Sequence, residues 1–157
     1  MNSNNHITVD QIKNDAEVIK KELVEWRHYL HAHPELSFKE ERTTHYIVNK
    51  LKNFGYTDIQ IGFGPLKTGV MVEIGSGRPC VMLRADIDAL PIQEQTGVEF
   101  CSQSKGVSHA CGHDAHITNL LGVAKLLKKY ENSIKGRVKL LFQPAEETRV
   151  KIYEKPL

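Results

Sequence analysis

The feature that most constrains this chain is a change in the period of its apolar residues at Gly55. Before that point Val9, Ile12, Ala16, Ile19, Leu23, Trp26 and Leu30 recur three or four apart, which is the stripe of an amphipathic helix with one buried face. Pro34 closes that segment. A second helical stretch, from about Phe38 to Phe54, carries Tyr46, Ile47, Leu51 and Phe54 up to Gly55, a residue suited to a left-handed cap. After it come three short β-rich runs, Ile59-Gln60-Ile61, Gly69 to Ile74 and Cys80 to Ala85. The stretch Gly75-Ser76-Gly77-Arg78-Pro79 predicts a hairpin connection between the last two. Beyond a polar loop around Gln93 to Ser108, helical spacing returns over His116 to Tyr130 through Leu120, Leu121, Ala124 and Leu127, and Gly136 to Phe142 reads as a buried strand. Two helices, three strands, a helix and a strand imply an α/β sandwich with mixed pairing in its sheet.

Length and charge narrow the function. With 157 residues, 40% of them hydrophobic, the chain supports one core. A net charge of +2 gives no electrostatic reason to expect nucleic acid or an anionic membrane as partner. No apolar run approaches the ~20 residues that a bilayer requires, and the start Met1-Asn2-Ser3-Asn4-Asn5-His6 lacks the basic and apolar parts of a secretory signal, so a cytoplasmic location is expected. Cys80, Cys101 and Cys111 are odd in number and form no Cys-x-x-Cys pair, which suggests neither a disulfide framework nor a zinc ribbon.

Chemistry concentrates in three places. In His109-Ala110-Cys111-Gly112-His113-Asp114-Ala115-His116 a thiol, imidazoles and a carboxylate crowd together ahead of a helix. Zinc accepts all three donor types, and Gly112 leaves the backbone between Cys111 and His113 free to bend. Asp114 is placed to orient an imidazole. Cys111 as a thiolate nucleophile with His113 or His109 as base is the rival reading, but nothing else in the sequence specifies an oxyanion hole. Second, Phe142-Gln143-Pro144-Ala145-Glu146-Glu147 sets two acids just beyond a strand, where ligand sites of open α/β folds gather. Adjacent side chains of extended backbone point apart, which suits one carboxylate on a metal and its neighbour as proton acceptor. Third, Arg84-Ala85-Asp86-Ile87-Asp88-Ala89-Leu90-Pro91 puts two carboxylates on one face of a strand end by the period of two; Asp86 and Asp88 there support a metal or its ligands, or else form a turn before Pro91. His28, His31 and His33 tempt a metal reading, but no acid or thiol is tied to them by spacing, and they read as surface rings near a helix end.

These motifs, with Arg27-His28, His33-Pro34-Glu35-Leu36, Phe38 and Glu40, resemble the zinc aminoacylase and amidohydrolase family of metallopeptidases, over residues 20 to 147. The resemblance implies a mixed-sheet α/β sandwich of the zinc-exopeptidase type and hydrolysis of N-acyl-amino acids or similar peptide-like amides. It implies one or two divalent ions, zinc or manganese, with cobalt or nickel also accommodated. Carried over by position, Cys111, His113 and Glu147 are metal ligands and Glu146 is the general base that takes a proton from water and returns it to the departing amine. Asp86 is expected at the metal and Asp88 in a catalytic supporting role; His28, His31 and His33 are not expected to bind metal. Family members run on past the Glu-Glu motif into a glycine-rich stretch and two further histidine ligands, whereas here the similarity stops at Glu147. The expectation is therefore the first half of such a catalytic domain in residues 1–147, a non-matching tail in 148–157, impaired activity, and an inactive folded or partner-bound module as the alternative. Exposed sheet edges leave self-association into a homo-oligomer open.

Overall fold

The two helices read from the first period lie at Val9–Ala32 (α1) and Glu41–Phe54 (α2) in a computed structural model that describes residues 7–63 and 66–148. A capping box opens α1: Thr8 Oγ1 accepts from the Gln11 N–H at 3.2 Å, and Gln11 Oε1 accepts from the Thr8 N–H at 2.8 Å. The second helix starts later than Phe38 because Phe38 has φ +66°, a left-handed conformation that no α-helix can contain. It ends as expected at Gly55, whose φ of +96° lets its N–H and that of Tyr56 close on the last carbonyls of the helix.

Four strands follow the change of period: Ile59–Phe63 (β1), Leu66–Ser76 (β2), Cys80–Asp86 (β3) and, after a third helix at His113–Lys129 (α3) and a single 3₁₀ turn at Glu131–Ser133, Gly136–Gln143 (β4). They make one sheet in the order β1-β2-β4-β3, antiparallel except for the parallel β3–β4 pair. The mixed pairing expected from the element order is present. The hairpin expected across residues 75–79 is not. β4 inserts between β2 and β3, with Leu140 opposite both Val72 and Leu83, because the β3–α3–β4 crossover brings the chain back beside β3 in parallel. The connection instead passes the start of β4, where the Arg137 N–H donates to Pro79 O at 2.8 Å.

The sandwich has two layers. Val70, Val72 and Ile74 of β2 share a face by the period of two with Leu140 and Phe142 of β4, and against it pack Trp26 and Leu30 of α1, Ile47 and Leu51 of α2, and Ile117 and Leu121 of α3. The opposite face is mixed, with Glu73 paired to Lys139 at 2.7 Å and Arg137 at 3.4 Å beside Met71, Leu141 and Met82. Edge strand β3 is covered only at its carboxyl end: Val81 and Met82 are each 52% exposed, while Ala85 and Asp86 are buried. Parallel β3 and β4 thus deliver their carboxyl ends side by side, Asp86 opposite Gln143, and the amino terminus of α3 lies beyond them. Among the described residues no helix is long and apolar enough to cross a membrane. The expected tail, apart from Thr148, lies outside the described residues.

Candidate metal centre

The site is assembled from three chain segments that follow β3, precede α3 and follow β4. Its first element is backbone. Gly112 takes φ +83° as the N-cap of α3, and an added Cβ would meet nothing within 4 Å, so the glycine serves conformation rather than space. The helix begins at His113, three residues before the apolar period sets in at His116, because a polar first turn leaves no hydrophobic signal. His113 and Asp114 therefore sit on the helix itself instead of on a loop ahead of it. The reversal at Gly112 turns Cys111 outward and exposed while His113 is buried at 2% exposure.

His113 is oriented from the segment that follows β3. Its Nδ1 lies 2.9 Å from the carbonyl oxygen of Asp88 and 3.4 Å from Asp88 Oδ1. A carbonyl oxygen only accepts, so Nδ1 carries the proton and the neutral ring presents its lone pair at Nε2. Asp88 raises the pKa of the imidazole above its usual value by that contact, against the opposing effect of burial. Burial also works to raise the Asp88 carboxyl, but bonds from His113, the Glu147 N–H and Ser37 Oγ (2.9 and 2.7 Å for the last two) outweigh it and hold the group at about 2. Asp88 is thus a fixed anion that ties α3 to the loop after β4.

That loop has a second anchor, Glu40. Wholly buried, it accepts from Thr68 Oγ1 at 2.8 Å and from the Ala145 N–H at 2.9 Å. Ala145 sits at φ +56°, a left-handed conformation that a non-glycine residue adopts only when held there. The result is that one donor atom each from Cys111, His113 and Glu147 falls within 4.8 Å of the others, and His113 Nε2 is 3.8 Å from Glu147 Oε1. Glu147 Oε1 is buried without a hydrogen-bond partner among the described residues, as is Asp86 Oδ1. The Cys111 thiol is pushed above its usual pKa chiefly by the neighbouring Glu147 carboxylate, with burial next and the negative charge of Glu146 and Asp86 adding to it. A thiol, an imidazole nitrogen and an unpartnered carboxylate oxygen drawn together at negative potential could hold a divalent cation, and their chemistry fits zinc.

The other expected residues divide. Asp86 accepts from Arg84 Nη2 at 3.1 Å through Oδ2, and belongs to a second convergent group with His113 and His116. Glu146 is exposed beside Glu147. Asp114 does contact an imidazole, but that of His31, whose Nδ1 lies 2.7 Å from Asp114 Oδ2 and whose Nε2 lies 3.0 Å from Glu94 Oε1. The reading of His28, His31 and His33 as surface rings without tied acids fails for His31, which is buried at 8% exposure between two carboxylates separated from it by 83 and 63 positions. Spacing within a motif cannot report such partners. The anchoring roles of Glu40 and Ser37 are likewise not legible in the sequence, since nothing local marks the distant residues they reach.

Comparison with known proteins finds the same α/β layer among metal-binding peptidases. Residues 82–151 match peptidase family M20/M25/M40. The N-acyl-L-amino acid amidohydrolase of Geobacillus stearothermophilus is 44% identical over 90% of this chain, and the N-acetyl-L-cysteine deacetylase of Bacillus subtilis 52% identical over 82%. Among solved structures, a Staphylococcus aureus protein described as an aminohydrolase superposes with a TM-score of 0.83 at 42% identity over 90% of the chain. A dinuclear metal-binding M20 peptidase of Bacillus subtilis superposes at 0.74, with 47% identity over 83%. The chain belongs to the M20 metallopeptidase family. It spans 38% and 31% of the lengths of the two enzymes and 38% and 37% of the two solved chains.

Proposed function

We propose that this chain carries the primary metal ligands and the general base of a metal-dependent amidohydrolase that acts on N-acyl-amino acids or similar peptide-like amides. The observation that carries the reading is the convergence of Cys111, His113 and Glu147 around the unpartnered Glu147 Oε1. These three residues would hold the ion, with Asp86 beside them. When bound, a divalent ion supplies acidity to a water molecule and polarises the scissile carbonyl. The chain's own groups do the rest. Asp88 fixes the His113 ring so that Nε2 faces Glu147; Glu40 and Asp88 pin the backbone on both sides of Glu146. Glu146, exposed at the mouth, accepts the proton from water and delivers it to the leaving amine. The mixed thiolate, imidazole and carboxylate set accepts zinc, and manganese, cobalt or nickel less selectively. Three free, exposed cysteines suit a reducing compartment such as the cytoplasm.

The uncovered edge β3, with Val81 and Met82 half exposed, supports a second reading in which the chain is a folded module that works only against a partner surface. One experiment separates the two: the chain is loaded with zinc, its metal content measured, and the release of free amino acid from an N-acetylated one followed. Zinc bound with turnover that Glu146→Ala abolishes at unchanged metal content supports the enzyme; zinc bound without turnover leaves the module, and loss of zinc in Glu146→Ala contradicts the assignment of Glu146.

A further inference from the structure

One cavity adjoins the cation group and is not used by the chemistry of Glu146. It has a volume of about 440 Å³ and lies between the connection from α1 to α2 and the segment that follows β3. Leu36 and Phe38 come from the first, Leu90 and Pro91 from the second, and Glu147, a member of the cation group, is part of the wall. Of the lining side chains only Lys39 and Glu147 carry charge.

The two segments are tied together by the protein itself. Leu36 and Ala89 form a parallel bridge, the Ala89 N–H donates to Glu35 O at 2.8 Å, and Ser37 Oγ donates to Asp88 Oδ2 at 2.7 Å. Amid those ties Phe38 is held at φ +66°, a conformation that an L side chain adopts only under constraint, and it stays 38% exposed. A large apolar ring kept out of the core gains little from folding and is free to be covered by a ligand.

We infer that this cavity takes the acyl chain of the amide substrate, and that Phe38 and Leu90 set the preferred length of that chain. The inference rests on the amidohydrolase reading above and adds to it the half of the substrate that these residues select. Connectivity decides which half. The acyl chain is attached directly to the carbonyl carbon under attack, whereas the side chain of the amino acid lies beyond the nitrogen and its α-carbon. A cavity that shares Glu147 with the ion is therefore reached first by the acyl chain. The lining agrees, because the amino-acid half ends in a carboxylate, for which the walls offer only Lys39. An acetyl group leaves most of this volume to water, so longer or aromatic acyl groups gain contacts that acetyl cannot make.

Alkyl hydroxamates test it, because the head group chelates zinc and its carbonyl carbon carries the chain as an acyl group does. The zinc-loaded full chain, Phe38→Gly and Leu90→Ala are titrated calorimetrically with acetohydroxamate, butanohydroxamate, hexanohydroxamate and octanohydroxamate. Glycine accepts φ +66°, and neither Phe38 nor Leu90 belongs to the core cluster, so both variants keep the fold. In the parent, affinity is expected to rise about fourfold per methylene until the cavity is full, the transfer gain of one buried CH₂. Each variant should lower octanohydroxamate affinity about tenfold and leave acetohydroxamate affinity and zinc content unchanged. A flat series in the parent, or a rise that survives both substitutions, overturns the acyl pocket and leaves the metal reading standing. A chain without zinc fails at metal analysis, before any hydroxamate is added, and overturns both.

Discussion

Two buried histidines, His31 at the end of α1 and His113 at the start of α3, sit in the same half of the molecule with opposite fates. Both ring nitrogens of His31 meet carboxylates, Asp114 at 2.7 Å and Glu94 at 3.0 Å, and Arg27 adds a charge at 3.2 Å from the same Asp114 oxygen. The protein itself satisfies that ring. His113 is satisfied on one side only, by Asp88, and its other nitrogen faces a thiol and a carboxylate oxygen that has no partner. The histidine closed on both sides locks two helices together; His113, open on a single side, keeps a nitrogen for the ligand role proposed for it. The residue type is the same, and the second nitrogen decides.

The largest effect should come from exchanging the two losses. His113→Ala is expected to abolish stoichiometric zinc binding. His31→Ala is expected to keep the zinc and lower unfolding free energy by about 3 kcal/mol, the cost of stripping a partner from buried Asp114. Metal analysis and denaturant midpoints on both variants read this out, and a folded His31→Ala protein without zinc would erase the distinction. Next in size is Asp88→Ala, which leaves the Glu147 N–H and Ser37 without their acceptor and frees the His113 ring. It should weaken zinc binding about 10–100-fold and cost about 2 kcal/mol, measurable by competition with a chelator and by thermal melting. Gly112→Ala should cost about 1–2 kcal/mol, because an alanine must hold the left-handed conformation there, and should loosen the metal with it.

The smallest effect is in acid, and it belongs to the closed histidine. Burial works to raise the Glu94 carboxyl, but bonds from Thr96, the Ser102 N–H and His31 overcome it and hold the group at about 2. A carboxyl depressed in the folded state contributes stability that is complete above its unfolded value of about 4.3 and is lost as pH falls through about 2. Glu94→Gln should flatten the decline of stability in that window without changing zinc content at neutral pH; an unchanged acid profile would detach Glu94 from His31.

The same contrast explains what was legible in the sequence. Long periodic stripes announced α1, α2 and α3, and the period of two announced the strands, because burial against one layer imposes those spacings directly. Cys111, His113, Asp86, Glu146 and Glu147 were visible as candidates because each motif is local and rich in donors. What escaped is non-local. The polar first turn of α3 carries no apolar stripe, so its start was read at His116; the insertion of β4 between β2 and β3 depends on a crossover that no turn sequence encodes. His31, Ser37 and Glu40 take their roles from partners at least 28 positions away, and an isolated histidine or glutamate looks the same whether it meets water or a buried acid.

The central claim is that Cys111, His113 and Glu147 close on a common ion, and X-ray absorption at the zinc edge of the zinc-loaded chain tests it most directly. The expected spectrum shows one sulfur neighbour at about 2.3 Å together with nitrogen and oxygen neighbours at about 2.0–2.2 Å. A bound zinc surrounded by nitrogen and oxygen alone, or a folded chain that retains no zinc, would contradict it.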